Sequence, residues 1–73
     1  MKNIIPYKLK TARRLRGFSM ETLSKKMNGI VSKQSISKYE KGLMQPTELV
    51  VDALCKALDL PKTYLGFTEK YFS

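Results

Sequence analysis

Pro6, Gly17, Gly29, Gly42, Pro46 and Pro61 break a chain of 73 residues into short pieces. Proline removes a backbone donor and clashes with the preceding helical turn, and glycine weakens a helix interior, so no long helix can run through these points. None of the pieces alternates β-branched and aromatic residues over a strand's length. The consequence is an all-α chain of short helices joined by tight turns.

Each piece carries its own start and stop. The first helix, expected over residues 7–16, follows Pro6, whose fixed φ suits an opening turn, and stops at Gly17. Leu9, Ala12 and Leu15 form its apolar stripe. Ser19 caps a second helix over residues 20–27, where Glu21 meets the positive end of the helix dipole and Leu23 and Met27 face inward. Ser32 caps a third over residues 33–41, closed by Gly42. A fourth begins after Pro46 with Thr47 as cap, and carries Val50, Val51, Leu54, Ala57 and Leu58 at helical spacing. Pro61 opens a last short turn through Tyr64 and Leu65.

The third helix has an unusual distribution of side chains. At 100° per residue, with Lys33 at zero, Ser37 falls near ~40°, Lys41 near ~80°, Gln34 near ~100° and Lys38 near ~140°. Ile36 near ~300° and Tyr39 near ~240° point away from them and can pack on Leu23 and the fourth helix. Two apolar anchors therefore hold the helix, and a broad polar face without an acid stays available. A solvated surface is the ordinary explanation of such an arc. Against it stand the cationic character of the face and the presence of Gln and Ser, which both donate and accept. In a major groove, lysine donates to guanine O6 and N7, and glutamine pairs with adenine N6 and N7.

Charge points the same way. Fourteen Lys and Arg against six Asp and Glu leave +8 on a small surface, which favours an anionic partner, nucleic acid or membrane. A membrane-binding peptide fits less well, because the cations are spread over several helices with inward-facing stripes. Single-stranded RNA lacks an aromatic stacking platform here. The chain has no histidine, no Gly-rich phosphate loop and no metal-ligand cluster, so no enzyme activity, metal or cofactor is expected. Lone Cys55 cannot form an internal disulfide and no secretory or membrane-spanning stretch is present, which suggests a cytoplasmic protein. Cys55 is read as a small buried hydrophobe, with a redox sensor as the lesser alternative.

LSKKM, then SKQSISKYEKG, then GLMQP and a Leu-rich helix ending ALDLP resemble the helix-turn-helix of the Cro and phage-repressor type, the XRE family of transcriptional regulators. The likeness spans about Leu9 to Leu65 and includes an opening helix, LKTARRLRGFS, with Arg13 where the family commonly has arginine. Ser24 falls where the second helix needs a small residue. The resemblance implies a compact five-helix bundle of the lambda-repressor type, with the third helix in the major groove, and binding as a homodimer to a pseudo-palindromic operator. It implies a sequence-specific double-stranded DNA-binding regulator, a repressor, associated with the nucleoid. Lys33, Gln34, Ser37 and Lys38 match positions that reach base edges; Ser35, Lys41 and Gln45 fall to the sugar-phosphate backbone. Glu40 matches an acid that pairs with the first helix's arginine, here Arg13. A protein-interaction module on the same fold, such as an antitoxin or accessory factor, is the alternative.

The chain also departs from that pattern. Residues 28–31, Asn-Gly-Ile-Val, lengthen the turn before the third helix; Asn-Gly favours a turn, and Ile30 or Val31 can pack ahead of Ser32. Met20 stands where relatives place a phosphate-binding Gln, so backbone contact leans also on Lys10, Arg14, Arg16, Lys25 or Lys26. Leu43 and Met44 either close the core or mark a protein contact. The expected DNA-binding domain is residues 1–66, with a tail, residues 67–73, leading to a further domain or a dimer contact through Phe67, Tyr71 and Phe72.

Overall fold

The computed structural model describes residues 3–67, which lack strands and form four α-helices and one 3₁₀ turn. In order these are α1 (Pro6–Leu15), α2 (Met20–Lys26), α3 (Lys33–Glu40), α4 (Glu48–Leu58) and the 3₁₀ turn (Lys62–Leu65). The fifth helix is thus a single tight turn, because Pro61 and left-handed Gly66 leave only four residues between them. Expected helix ends at 16, 27 and 41 prove to be the C-caps Arg16, Met27 and Lys41.

Local hydrogen bonds explain these boundaries. The hydroxyls of Ser19, Ser32 and Thr47 accept from the amides of Thr22, Ser35 and Val50, satisfying donors that the first helical turn leaves unpaired. At the other end of α1, Gly17 donates to Arg14 O and Phe18 to Arg13 O, a double closure that α3 repeats through Gly42 and Leu43.

The core gathers Leu9 and Ala12 of α1, Leu23 of α2, Ile36 and Tyr39 of α3, and Val51, Leu54 and Leu58 of α4. Each fully buried leucine contributes about 1.5–3 kcal/mol relative to exposure. Leu15 does not join them and is 61% exposed. It lies about 120° around α1 from Leu9, off the face that Leu9, Ala12 and Arg13 turn inward. Cys55 is buried, and burial pushes its thiol pKa up, which suppresses the reactive thiolate.

Both ends of the described chain enter this core. Ile4 and Phe67 are buried, so packing continues one residue past the expected boundary at 66, whereas Tyr71 and Phe72 lie outside the described residues. Ile5 donates its amide to Leu65 O at 2.8 Å, and a Cβ at Gly66 would stand 2.6 Å from Ile5 Cδ1.

Arg13 ties α1 to α3. Its Nε donates to Glu40 Oε2 at 2.6 Å, Nη2 to Glu40 Oε1 at 3.0 Å and Nη1 to Phe18 O at 2.9 Å. The two side chains are only 10% and 3% exposed, and the hydrogen bond to Glu40 raises the guanidinium pKa still further. Breaking a buried pair leaves an uncompensated charge, so Arg13→Met or Glu40→Leu alone is expected to cost about 3–5 kcal/mol. The double variant should recover much of that loss in urea unfolding; two single losses that simply add would refute this account of the pair.

Candidate nucleic-acid interface

α3 stands on the core by Ile36 and Tyr39 and turns Lys33, Gln34, Lys38 and Lys41 to solvent, with Ser35 and Ser37 half-buried at the margin. Among the described residues, the side chains of Lys33, Gln34, Lys38 and Lys41 have no hydrogen-bond or ion-pair partner. Glu40, the only acid on α3, is enclosed by Arg13. Other paired acids lie on other helices: Glu48 and Asp52 of α4 converge on Lys62, at 3.5 and 2.8 Å, and Glu21 faces Lys25 of its own helix at 3.9 Å. The exposed face of α3 is therefore positive, and its donors are not used by the other described residues.

Before α3 stands α2, joined to it through residues 27–32 and packed on both α3 and α4. Asn28 and Gly29 both take left-handed conformations, φ 57° and 73°. Of the two apolar residues that follow, Val31 is buried and Ile30 is 60% exposed, so the packing ahead of Ser32 belongs to Val31. Ser24 Oγ donates to Val31 O at 2.6 Å, so this small residue also makes a bond across the turn.

A short helix, a turn and a second helix with an unpartnered polar face describe a helix-turn-helix, and the family comparison agrees. The helix-turn-helix family HTH_3 matches residues 9–65, most of the chain. The chain belongs to this family. The restriction-modification controller protein C.AhdI from Aeromonas hydrophila is similar, with a TM-score of 0.76 at 23% identity over 82% of this chain and 84% of its own. An HTH_3 family transcriptional regulator from Vibrio cholerae is similar too, with a TM-score of 0.75 at 23% identity; the match covers 84% of this chain and 33% of that longer one. At such identity the likeness is one of fold. No curated protein matches at a significant level.

Within the helix-turn-helix frame, two residues expected near the DNA backbone have other tasks. Gln45 clasps the main chain of Ile4, accepting its amide at 3.0 Å and donating to its carbonyl at 3.2 Å. Both ends of the amide therefore hold the N-terminal segment against the loop after α3. Arg16 donates to Leu58 O at 2.7 Å and Asp59 O at 3.0 Å, satisfying carbonyls at the end of α4. Lys26 sits over the Phe18 ring, 5.1 Å from its centre, while Lys10 and Arg14 remain exposed. Leu43 and Met44 are also exposed, at 72% and 37%, and do not close the core.

Ile4 is buried while Gln45 is exposed, and nothing in their sequence spacing couples them. Only the apolar character of Ile4 hinted that the N-terminal segment had a docking place. Gln45→Ala is expected to cost about 1–3 kcal/mol, since it strands the amide and carbonyl of Ile4. The affinity of the folded variant for random duplex should not change; a uniform weakening on all duplexes would instead show a phosphate contact by Gln45.

Proposed function

We propose that this helix-turn-helix protein is a sequence-specific double-stranded DNA-binding transcriptional regulator, a repressor, that reads the major groove with α3. The observation that carries the reading is the α3 face itself: four cationic or amide side chains, unpartnered among the described residues, on a helix whose one acid is neutralised from behind. A controller protein and a transcriptional regulator share the fold, which supports a regulatory role. Among the described residues no helix is long and apolar enough to cross a membrane, and we place the protein's work in the cytoplasm, at the nucleoid.

In this reading Lys33, Gln34, Ser37 and Lys38 address base edges, and Ser35 and Lys41 hold the sugar-phosphate backbone. Residues 1–66 form the DNA-binding unit, with Phe67 packed into its core. The operator is pseudo-palindromic and bound by a homodimer, as two-fold protein symmetry requires of its half-sites. A face for that dimer is suggested by one edge of α4, where apolar side chains run between the core and exposed Asp52 and Lys56. Val51, Leu54 and Leu58 fill the core, while Leu49, 80% exposed, leads an outer stripe continued by half-buried Ala53 and Ala57. Leu49→Glu should leave the melting temperature unchanged and convert dimer to monomer in sedimentation; an unaltered dimer would place the seam elsewhere.

Selection from a random duplex library tests the function directly. A recovered motif with two spaced half-sites is expected; failure to enrich any motif would turn the assignment to a protein-interaction module. On the recovered site, Gln34→Ala and Lys38→Ala should each cost about 1–3 kcal/mol and relax preference at particular base pairs. Lys41→Ala should weaken cognate and random DNA equally and reduce the salt slope by about one. Identical behaviour of all three variants on both duplexes would refute the assignment of roles.

A further inference from the structure

We infer that Ser24 is a positioning residue for DNA readout, holding the lengthened turn at both ends and so setting the direction in which α3 points. The inference rests on the major-groove reading proposed above. Ser24 lies within α2 and makes no approach to the exposed face of α3; its influence passes through the turn. Its main-chain oxygen accepts from Gly29 N at 3.0 Å, where the turn begins, and from Met27 N at 3.1 Å. Its hydroxyl donates to Val31 O at 2.6 Å, where the turn ends, one residue before the Ser32 cap of α3. One residue thus bonds to both ends of a loop whose middle, left-handed Asn28 and Gly29 followed by exposed Ile30, is otherwise held by main-chain bonds from Asn28 to Lys25 O at 2.9 Å and from Ile30 to Met27 O at 3.1 Å.

The geometry makes the far bond matter. α3 has eight residues and so spans only about 12 Å, and a tilt of about 10° displaces one end by about 2 Å. Hydrogen bonds to base edges tolerate a few tenths of an ångström, whereas a lysine reaching a phosphate follows a shift of that size with its flexible stem. The C-terminal end of α3 is fixed by Glu40 on Arg13. Its N-terminal end is held by the burial of Val31 and by the Ser24 hydroxyl. Removing that hydroxyl releases the end from which Lys33 and Gln34 project. Base discrimination should therefore suffer and general attraction to DNA should not.

Ser24→Ala keeps the small volume, the helix propensity and the main-chain bonds of Ser24, and removes only the hydroxyl bond. The measurement is the ratio of affinities for a selected duplex and a random duplex, about 10 °C below the variant's melting temperature, where circular dichroism verifies that it is folded. Ser24→Ala should lower this ratio about tenfold with the affinity for random duplex and its salt slope unchanged. Ser24→Thr, which keeps a hydroxyl, should retain most of the ratio. Combined with Lys38→Ala, the loss should be less than the product of the single losses, because a mis-aimed helix has already forfeited part of the Lys38 contact. A folded Ser24→Ala protein with the wild-type ratio would overturn the inference and leave the DNA reading intact. Equal losses in the Ala and Thr variants would overturn it as well, since size and not the hydroxyl would then be at issue. A wild-type ratio near one would sink the groove reading first, and this inference with it.

Discussion

One guanidinium organises this fold. Arg13 leaves α1 from a buried position, takes both oxygens of Glu40 on α3 and accepts no freedom at its third nitrogen, which holds Phe18 O in the connection to α2. Three consecutive helices are thus referenced to one planar group. Apolar packing alone leaves helices able to slide by small steps at little cost, whereas a bidentate pair has a single good geometry. Desolvating both charges is expensive, so the pair is better understood as fixing α3 in place than as a large net source of stability.

That placement has an electrostatic consequence for α3. An unpaired Glu40 one residue from Lys41 and two from Lys38 would weaken the field that the exposed lysines offer to phosphate. Enclosing it behind the helix, in contact with Arg13, keeps the acid's structural use and hides its charge. On α4 and the 3₁₀ turn, Lys62 gathers Asp52 and Glu48, and the hydrogen bond to Asp52 raises its pKa. The net charge of +8 is therefore unevenly expressed, with partnered cations around α4 and, among the described residues, unpartnered ones on α3. This asymmetry, more than the total, suits an anionic partner that must approach in one orientation.

What could be read from the sequence was what depends on neighbours in the chain. Ser19, Ser32 and Thr47 announce helix starts because a cap bonds three residues ahead, and Gly17 and Gly42 announce ends for a similarly local reason. The polar face of α3 was legible because a helix of known pitch fixes where each side chain points. Contacts from a side chain to a distant main chain were not legible, since any residue presents the same amide and carbonyl. Gln45 on Ile4 and Arg16 on Leu58 span 41 and 42 residues, and both had looked like spare polar groups for DNA. Leu15 failed for a different reason: its spacing admitted the apolar stripe, and only the position of the other helices decided that Arg13 and not Leu15 faces inward.

The bond between Ile5 and Leu65 joins the two ends of the described chain across nearly its full length. Ends of small domains ordinarily fray, opening and closing without disturbing the rest. Here the flanking residues Ile4 and Phe67 are core residues, so releasing either end exposes apolar surface that α1 and α4 depend on. The described helices are therefore clasped at both ends, and through Gln45 on Ile4 the clasp reaches the loop that follows α3, so the helix aimed at DNA is braced by the chain's far end.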